Sequence, residues 1–359
     1  MSACDDCLRR ADLIAAIAGR LQVEFKQRSA PGRVLALPDE RLLDASGSAA
    51  IRKRYDAFDP AAAHAAIAAA RLIAICRCDD GYPPGLGELE DPPAVLHVAG
   101  SPDAVGRPDA VAVVGARRAS SYGLEVARSL GRGLSAAHVT VVSGLALGVD
   151  SEAHTGALGA SGRTIGVLAG SAHKAYPVRG WRLHAAVARR GAVVSEMPPG
   201  AETHRWCFVA RNRLIAALSS ATVVVQATER SGSLTTADFA AEIGRAVGAV
   251  PGPVTTRLSA GTHGLIQAGA PLIRDAGDAL ELLAGVTGRD YVAEPAPRVV
   301  LAPPLQRLLT AVENGSGTLS ELAQTPGQAR EALAALSELE RLGLIRRGFA
   351  GRWERRVSA

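Results

Sequence analysis

The sequence predicts a Rossmann-like α/β domain with a doubly wound parallel sheet, set between an N-terminal helical domain and a C-terminal winged helix. Three observations carry this prediction. Through residues 79–287, short β-branched runs alternate with amphipathic stretches, the pattern of a parallel sheet covered on both faces. Residues 1–78 place their apolar side chains at helical spacing. Residues 305–359 return to helical spacing and close on two short strand-like runs, a winged helix-turn-helix pattern.

Taken in order, Leu13, Ile14, Ile17 and Leu21 mark one helix of the first domain, and the Ala-rich run 61–70 marks another. The stretch DDGYPPGLGELEDPP, 79–93, is rich in Pro and Gly and reads as a boundary. Strands are predicted at 111–114, 139–142, 164–168, 192–194, 222–225 and 246–250. Helices are predicted between them at 122–136, 151–160, 180–190, 205–219 and 235–245. A linker, 288–304, carries Pro295, Pro297, Pro303 and Pro304. Beyond it, Leu305, Leu308, Leu309 and Val312 share a helix face, and 318–323 reads as a short helix. Thr325 and Pro326 form an N-cap and first position for a helix through Leu333, Leu336, Leu339 and Leu342. Residues 344–347 and 351–355 complete the wing.

Composition narrows the function. With 48% hydrophobic and 21% charged residues over 359 positions, the chain can bury sizeable cores and is not a disordered polymer. Net charge is +5, yet residues 79–302 hold 20 basic and 20 acidic side chains. Within that neutral region, Arg163 to Arg213 contains nine basic residues and two acids, which points to a directed anion site. The start, MSACDDCLRR, has no apolar signal core, and the longest uncharged runs are too short and polar to span a bilayer. A cytoplasmic protein with reduced thiols and no membrane partner is expected.

Several loops carry candidate chemistry. Gly115 to Gly123 reads GARRASSYG: a Gly at a strand end admits a phosphate or another backbone, and Arg117, Ser120, Ser121 and the helix start supply donors. The same serines would serve as ordinary helix caps. Ser143 and Gly144 end the next strand, where doubly wound sheets bind ligands, while Asp150 reads as a cap or packing residue. No nucleophile elbow surrounds Ser143. Lys174, Tyr176, Arg179, Trp181 and Arg182 mix cations with aromatics in a chain that is only 4% aromatic, a pairing suited to phosphates and unstacked bases. Arg211, Asn212 and Arg213 are read at the start of a helix, where cations are unfavourable unless they meet an anion. Ser231, Gly232, Ser233 and Thr235 form another small-residue loop entering a helix. Cys4 and Cys7 form C-x-x-C, and Cys76 and Cys78 form C-x-C; these two pairs are a candidate structural zinc site, against the alternative of unrelated reduced thiols.

In this order and spacing the motifs resemble the DNA-processing protein A family (DprA, also called Smf). The resemblance covers about residues 79–285 and rests on YPPGLGELEDPPAVLHVAG, VGARRASSYG, VSGLALGVDSEAH, TIGVLAG, the Tyr176–Pro177 pair, SEMPPG, RNRLIAALS, SGSLTTADFAAEIGR and VPGP. It implies a Rossmann-like core, homodimerisation, binding of single-stranded DNA, and loading of RecA recombinase during natural transformation, with no catalysis. Carried over by motif, Gly115, Arg117, Ser120, Tyr122 and Gly123 fall in the DNA pocket, and the cation after the Tyr–Pro pair is Arg179 or, with Val178 in the usual Lys position, Arg182. The chain departs from the family pattern at Ala116, Val178, Gln226 and His263. The resemblance also implies a sterile-alpha-motif-like fold for 1–78. No cofactor is expected apart from the candidate zinc.

Two other readings stand beside this one. A nucleotide-processing enzyme of the phosphoribohydrolase kind would use Thr235 and Asp238, although SGS replaces its Gly-rich loop. A transcription regulator would use the winged helix, but its second helix carries Arg330 and Arg341 against Glu331, Glu338 and Glu340, a poor balance for reading a major groove. The cations of the tail, Arg346, Arg347, Arg352, Arg355 and Arg356, lie in the wing instead.

Overall fold

The structure is a computed structural model describing residues 3–24, 32–160, 162–292, 301–348 and 351–355. The predicted wing cation Arg356 lies outside the described residues. The chain divides into two units, Met1–Ala293 and Glu294–Ala359.

The larger unit opens with helices α1 (Asp5–Glu24), α2 (Gly32–Leu35), α3 (Asp39–Ser46), α4 (Ala49–Asp56) and α5 (Pro60–Ala69). Asp59 caps α5 by accepting from the Ala61 N–H at 2.9 Å, and Pro60 supplies a preset φ. The rest alternates strand and helix: β1 (Ile73–Cys76), α6 (Pro84–Gly87), β2 (Val95–Gly100), β3 (Ala110–Val114), α7 (Ser121–Ala136), β4 (Thr140–Ser143), α8 (Val149–Gly159), β5 (Thr164–Val167), α9 (Trp181–Arg190), β6 (Ala192–Ser195), α10 (Arg205–Ala217), β7 (Ala221–Val224), α11 (Leu234–Glu242), β8 (Ala246–Ala249), α12 (Ala260–Gln267) and α13 (Ala276–Thr287).

One eight-stranded sheet runs in the order β1-β2-β6-β5-β4-β3-β7-β8. From β6 to β8 every pairing is parallel. All residues of β3 to β7 are buried, as strands covered on both faces require. The sheet is mixed rather than wholly parallel, because β1 and β2 add to β6 by antiparallel pairing. The first of these two strands falls inside the segment expected to be helical.

Among the described residues, three hydrophobic clusters fill this unit. One lies against the sheet around Leu86, Leu96, Val114 and Leu214. A second joins Cys7, Leu8 and Ala11 of α1 to Ala74, Cys76 and Val95 of the edge strands. In the third, Leu13 and Ile17 of α1 pack with Trp206 and Ala210 of α10, and the Trp206 indole donates to Ala18 O at 2.5 Å. The helices of residues 5–69 therefore share their core with the sheet layer.

The second unit holds α14 (Pro303–Glu313), α15 (Leu319–Leu322), α16 (Pro326–Arg341) and the antiparallel pair β9 (Ile345–Arg347) and β10 (Trp353–Arg355). Thr325 caps α16 reciprocally with Gln328, so the predicted start Thr325–Pro326 is where the helix begins. Leu309, Val312, Leu336, Leu339, Ile345 and Trp353 form its own core.

Candidate nucleic-acid interface

From β3 the sheet continues through β4, β5 and β6 on one side, and through β7 and β8 on the other. The loops leaving β3 and β7 therefore part, and a crevice opens at their carboxyl ends, the usual ligand position in such sheets. It holds about 400 Å³ and is lined by Gly115, Arg117 and Arg118 after β3, Arg211 on α10, and Ser231 and Ser233 after β7. Asp150 of α8 also reaches it. This carboxylate accepts from the Gly144 N–H at 3.1 Å and the Ala146 N–H at 3.4 Å, and burial pushes its pKa up.

Arg117, Arg118 and Phe208 line the crevice, and the cation- and aromatic-rich segment 174–182 adjoins it through Tyr176. The Arg117 guanidinium lies 5.2 Å from the centre of the Phe208 ring, and Phe208 meets Tyr176 with centroids 5.2 Å apart at 51°. Arg182 covers Trp181 at 5.4 Å. Tyr176 is 50% exposed and Trp181 is 58% exposed, so neither belongs to the core. Lys174, Arg179, Arg182 and Arg118 are exposed as well, and none of these cations, nor Arg117, forms an ion pair among the described residues. Unpaired guanidinium and ammonium groups beside open ring faces are chemically suited to a polyanion carrying flat bases. Sequence reasoning missed Phe208 and Arg118. Phe208 directly follows the buried pair Trp206–Cys207 on α10, and only the fold shows that it lines the crevice while packing partly on the core.

Other predicted site residues are used up in holding the crevice together. Ser143 is fully buried and donates to Val113 O at 2.7 Å, which ties β4 to β3. Gly144 has room only for hydrogen, because a Cβ there would sit 2.6 Å from the Arg211 guanidinium. Gly115 and Gly123 are likewise required for packing: added Cβ atoms would meet Val149 at 2.8 Å and Gln226 Oε1 at 2.3 Å. Ser120 caps α7 by accepting from the Gly123 N–H at 3.2 Å, and Gln226 grips it twice, accepting from its N–H at 2.9 Å and donating to its Oγ at 2.8 Å. Tyr122 donates to Pro251 O at 2.8 Å. Ser121, exposed at the first position of α7, makes no such contact among the described residues.

The Arg211–Arg213 triplet differs most from expectation. Because α10 begins at Arg205, these residues occupy its middle, and the argument from an unfavourable helix start does not apply. Arg213 is 1% exposed, and all five of its donors are engaged, by Asp91, Glu196 and the carbonyls of Asp91 and Ala210. No N–H remains for a phosphate, so Arg213 is removed from the predicted contacts. Burial pushes Asp91 up to about 6 against the pull of this guanidinium. Asn212 donates to Gly232 O at 2.9 Å and Thr235 Oγ1 at 2.8 Å, which fixes the Ser231–Thr235 loop. Arg211 donates to Gly144 O at 2.8 Å and to Val167 O, and burial lowers its pKa to about 10, so it stays charged at neutral pH. It stays in the crevice wall, where the Asp150 carboxylate partly offsets its charge.

The four predicted metal-ligating cysteines come together. The sulfurs of Cys4, Cys7, Cys76 and Cys78 all lie within 4.8 Å of one another. Cys207 is buried separately on α10.

Fold and crevice together define a class: a Rossmann-like protein presenting cations and aromatics at the topological switch point of its sheet. The family model for DNA recombination-mediator protein A matches residues 73–284. The chain belongs to that family, known as DprA or Smf. It is 41% identical over 251 residues to a DNA processing protein DprA of Mycobacterium tuberculosis; the match covers 68% of this chain and 64% of the relative, just under two thirds of its length. The crystal structure of DprA from Streptococcus pneumoniae matches with a TM-score of 0.63 at 32% identity, covering 78% of this chain and 98% of that one. DNA processing protein A of Helicobacter pylori, solved for its single-stranded DNA binding mode, matches with a TM-score of 0.54 at 28% identity over 60% of this chain and 98% of that one.

Proposed function

We propose that this chain is a non-enzymatic, cytoplasmic mediator that binds single-stranded DNA as a homodimer and hands it to RecA recombinase during natural transformation. The observation carrying this reading is the contact series Arg117–Phe208–Tyr176 at the switch-point crevice, with the exposed Lys174, Arg179, Trp181 and Arg182 on the same segment as Tyr176. Phosphates would meet the cations, while splayed bases stack on the rings. Family membership supports the same reading, as does the single-stranded DNA binding of the Helicobacter pylori relative.

A nucleotide hydrolase is less well supported. The Thr235 hydroxyl already donates to Gly232 O and accepts from Asn212, so it is not poised toward a ribose. For residues 305–359 we favour a winged helix that contacts a protein or a phosphate backbone without reading base sequence. Arg341 is paired with Glu338 and Arg352 with Glu321, which leaves little charge for a groove.

The deciding experiment is fluorescence anisotropy of a labelled oligo-dT across a salt series, with duplex DNA as control. Single strands should bind more tightly than duplex, with affinity falling steeply as salt rises. Arg117→Ala combined with Arg179→Ala should reduce the slope of log K against log salt by about 1.4, at ~0.7 per lost contact. Tyr176→Ala and Trp181→Ala should each cost ~1–3 kcal/mol of binding. Affinity that is independent of salt and unchanged in these variants overturns the proposal.

A further inference from the structure

We propose that Cys4, Cys7, Cys76 and Cys78 form a tetrahedral thiolate site for one zinc ion that fastens the start of α1 to the edge strand β1. The DNA-binding reading makes no use of these residues.

The sulfur geometry is the first argument. Cys78 Sγ lies 3.7 Å from Cys7 Sγ and 3.9 Å from Cys4 Sγ. A tetrahedron with Zn–S bonds of about 2.3 Å has edges of about 3.8 Å. A disulfide needs roughly 2.05 Å, so these are contacts between separate thiols. With every sulfur within 4.8 Å of the others, the group is also too tight to surround a cluster of several irons. One ion fits. Four sulfur ligands select a borderline or soft metal and exclude Mg²⁺ and Ca²⁺, which require oxygen.

Surrounding contacts hold the four sulfurs in place. Cys4 precedes α1 and Cys7 lies in its first turn, so the C-x-x-C pair brings both sulfurs to one helix end. Cys76 ends β1, and the Asp79 carboxylate accepts from its N–H at 2.7 Å while the Asp79 N–H donates to Cys76 O at 2.9 Å. That turn carries Cys78 at its crest. The Cys4 N–H points at Cys76 Sγ at 3.5 Å, the kind of N–H···S contact that stabilises a metal-bound thiolate. Cys7 and Cys76 are buried within the cluster that joins α1 to the edge strands, while Cys78 reaches the surface, so an ion has an entry path.

Thiols are weak donors and acceptors, and four of them gain little from one another. A bound ion turns the arrangement into a cross-link between segments 69 residues apart, counted from Cys7 to Cys76. It secures a four-residue strand at the end of the sheet and the first helix of the chain.

The test uses the full-length chain purified without a histidine tag or chelator. Elemental analysis should find about one zinc per chain in the native protein and in Cys207→Ser, and under about a tenth of that in Cys4→Ser combined with Cys78→Ser. Cobalt(II) added to the metal-stripped native protein should give the intense visible bands and sulfur charge-transfer absorption of a tetrahedral thiolate complex. Far-UV circular dichroism reports whether the double variant is folded; if it is not, the cobalt spectrum of the native chain decides alone. Native protein that holds no zinc and shows only weak octahedral cobalt bands overturns the proposal, as does equal zinc in a folded double variant.

Discussion

Arg117 and Arg213 look alike in sequence, each a cation in a polar loop-helix motif, and the structure gives them opposite duties. Arg213 neutralises the buried Asp91 and the largely buried Glu196, while Arg117 lies exposed on Phe208 and forms no ion pair among the described residues. Removing one partner of a buried ion pair strands the others, so Arg213→Ala should cost ~3–5 kcal/mol in urea denaturation. Arg117→Ala should change stability by less than about 0.5 kcal/mol and act on DNA affinity instead. This contrast marks what the site's sequence could not reveal. The loops were legible because their small residues and cations follow strand ends. The partners Asp91 and Glu196 were not, because they lie 122 and 17 residues away from Arg213 in the chain. His154 gives a second test at this scale. Thr164 donates its hydroxyl proton to Val141 O at 2.8 Å, so it accepts from His154 Nδ1–H at 2.6 Å, and Nε2 is left buried without a partner. Burial lowers this imidazole to about 3 from an ordinary value near 6.5. The unfolded chain therefore takes up a proton first, and stability is lost as pH falls below about 6.5. Between pH 7.5 and pH 5 the native chain should lose about 2 kcal/mol more than His154→Asn, whose amide reproduces the Nδ1 donor; chemical denaturation at both pH values measures the difference.

Among elements, the six parallel strands were readable because β3 to β7 are buried on both faces and the edge strand β8 ends buried, so each carries a short apolar or β-branched run. The two antiparallel strands were not. Ile73–Cys76 is four residues long and follows an Ala-rich helix, and Val95–Gly100 holds His97, fully buried, where the pattern would favour an apolar residue. Periodicity also cannot reveal how closely helices approach. α7 and α8 meet backbone to backbone: a Cβ on Gly131 would fall 2.1 Å from Ala153 O, and one on Gly156 would fall 2.0 Å from Arg128 O. This contact sets α8, and with it Asp150, against the crevice. Gly156→Ala should therefore destabilise by ~1–3 kcal/mol despite alanine's better helix propensity. Gly159, in the same helix with nothing within 4 Å, is the control: Gly159→Ala should be neutral or stabilise by up to about 1 kcal/mol. Urea denaturation of both variants separates packing from propensity, and equal effects would refute the close-contact account.

At the scale of the molecule, the division into Met1–Ala293 and Glu294–Ala359 follows the cores. Among the described residues three clusters hold the first unit, and helices α1 to α5 contribute to two of them, so that unit should unfold together with its N-terminal helices. The second unit has a separate small core around Leu336, Leu339 and Trp353. A core of that size stabilises by only a few kcal/mol, since small units bury a smaller share of their surface. Differential scanning calorimetry of the full chain should therefore show two transitions, the smaller at lower temperature. A chain ending at Val292 should keep the larger transition within a few degrees. All cations and aromatics of the proposed DNA row precede that end, so its affinity for oligo-dT should stay within about threefold of the full chain, less than 1 kcal/mol. A loss greater than tenfold would move part of the binding surface into residues 294–359 and assign the arginines of β9 and β10 a direct role on the strand.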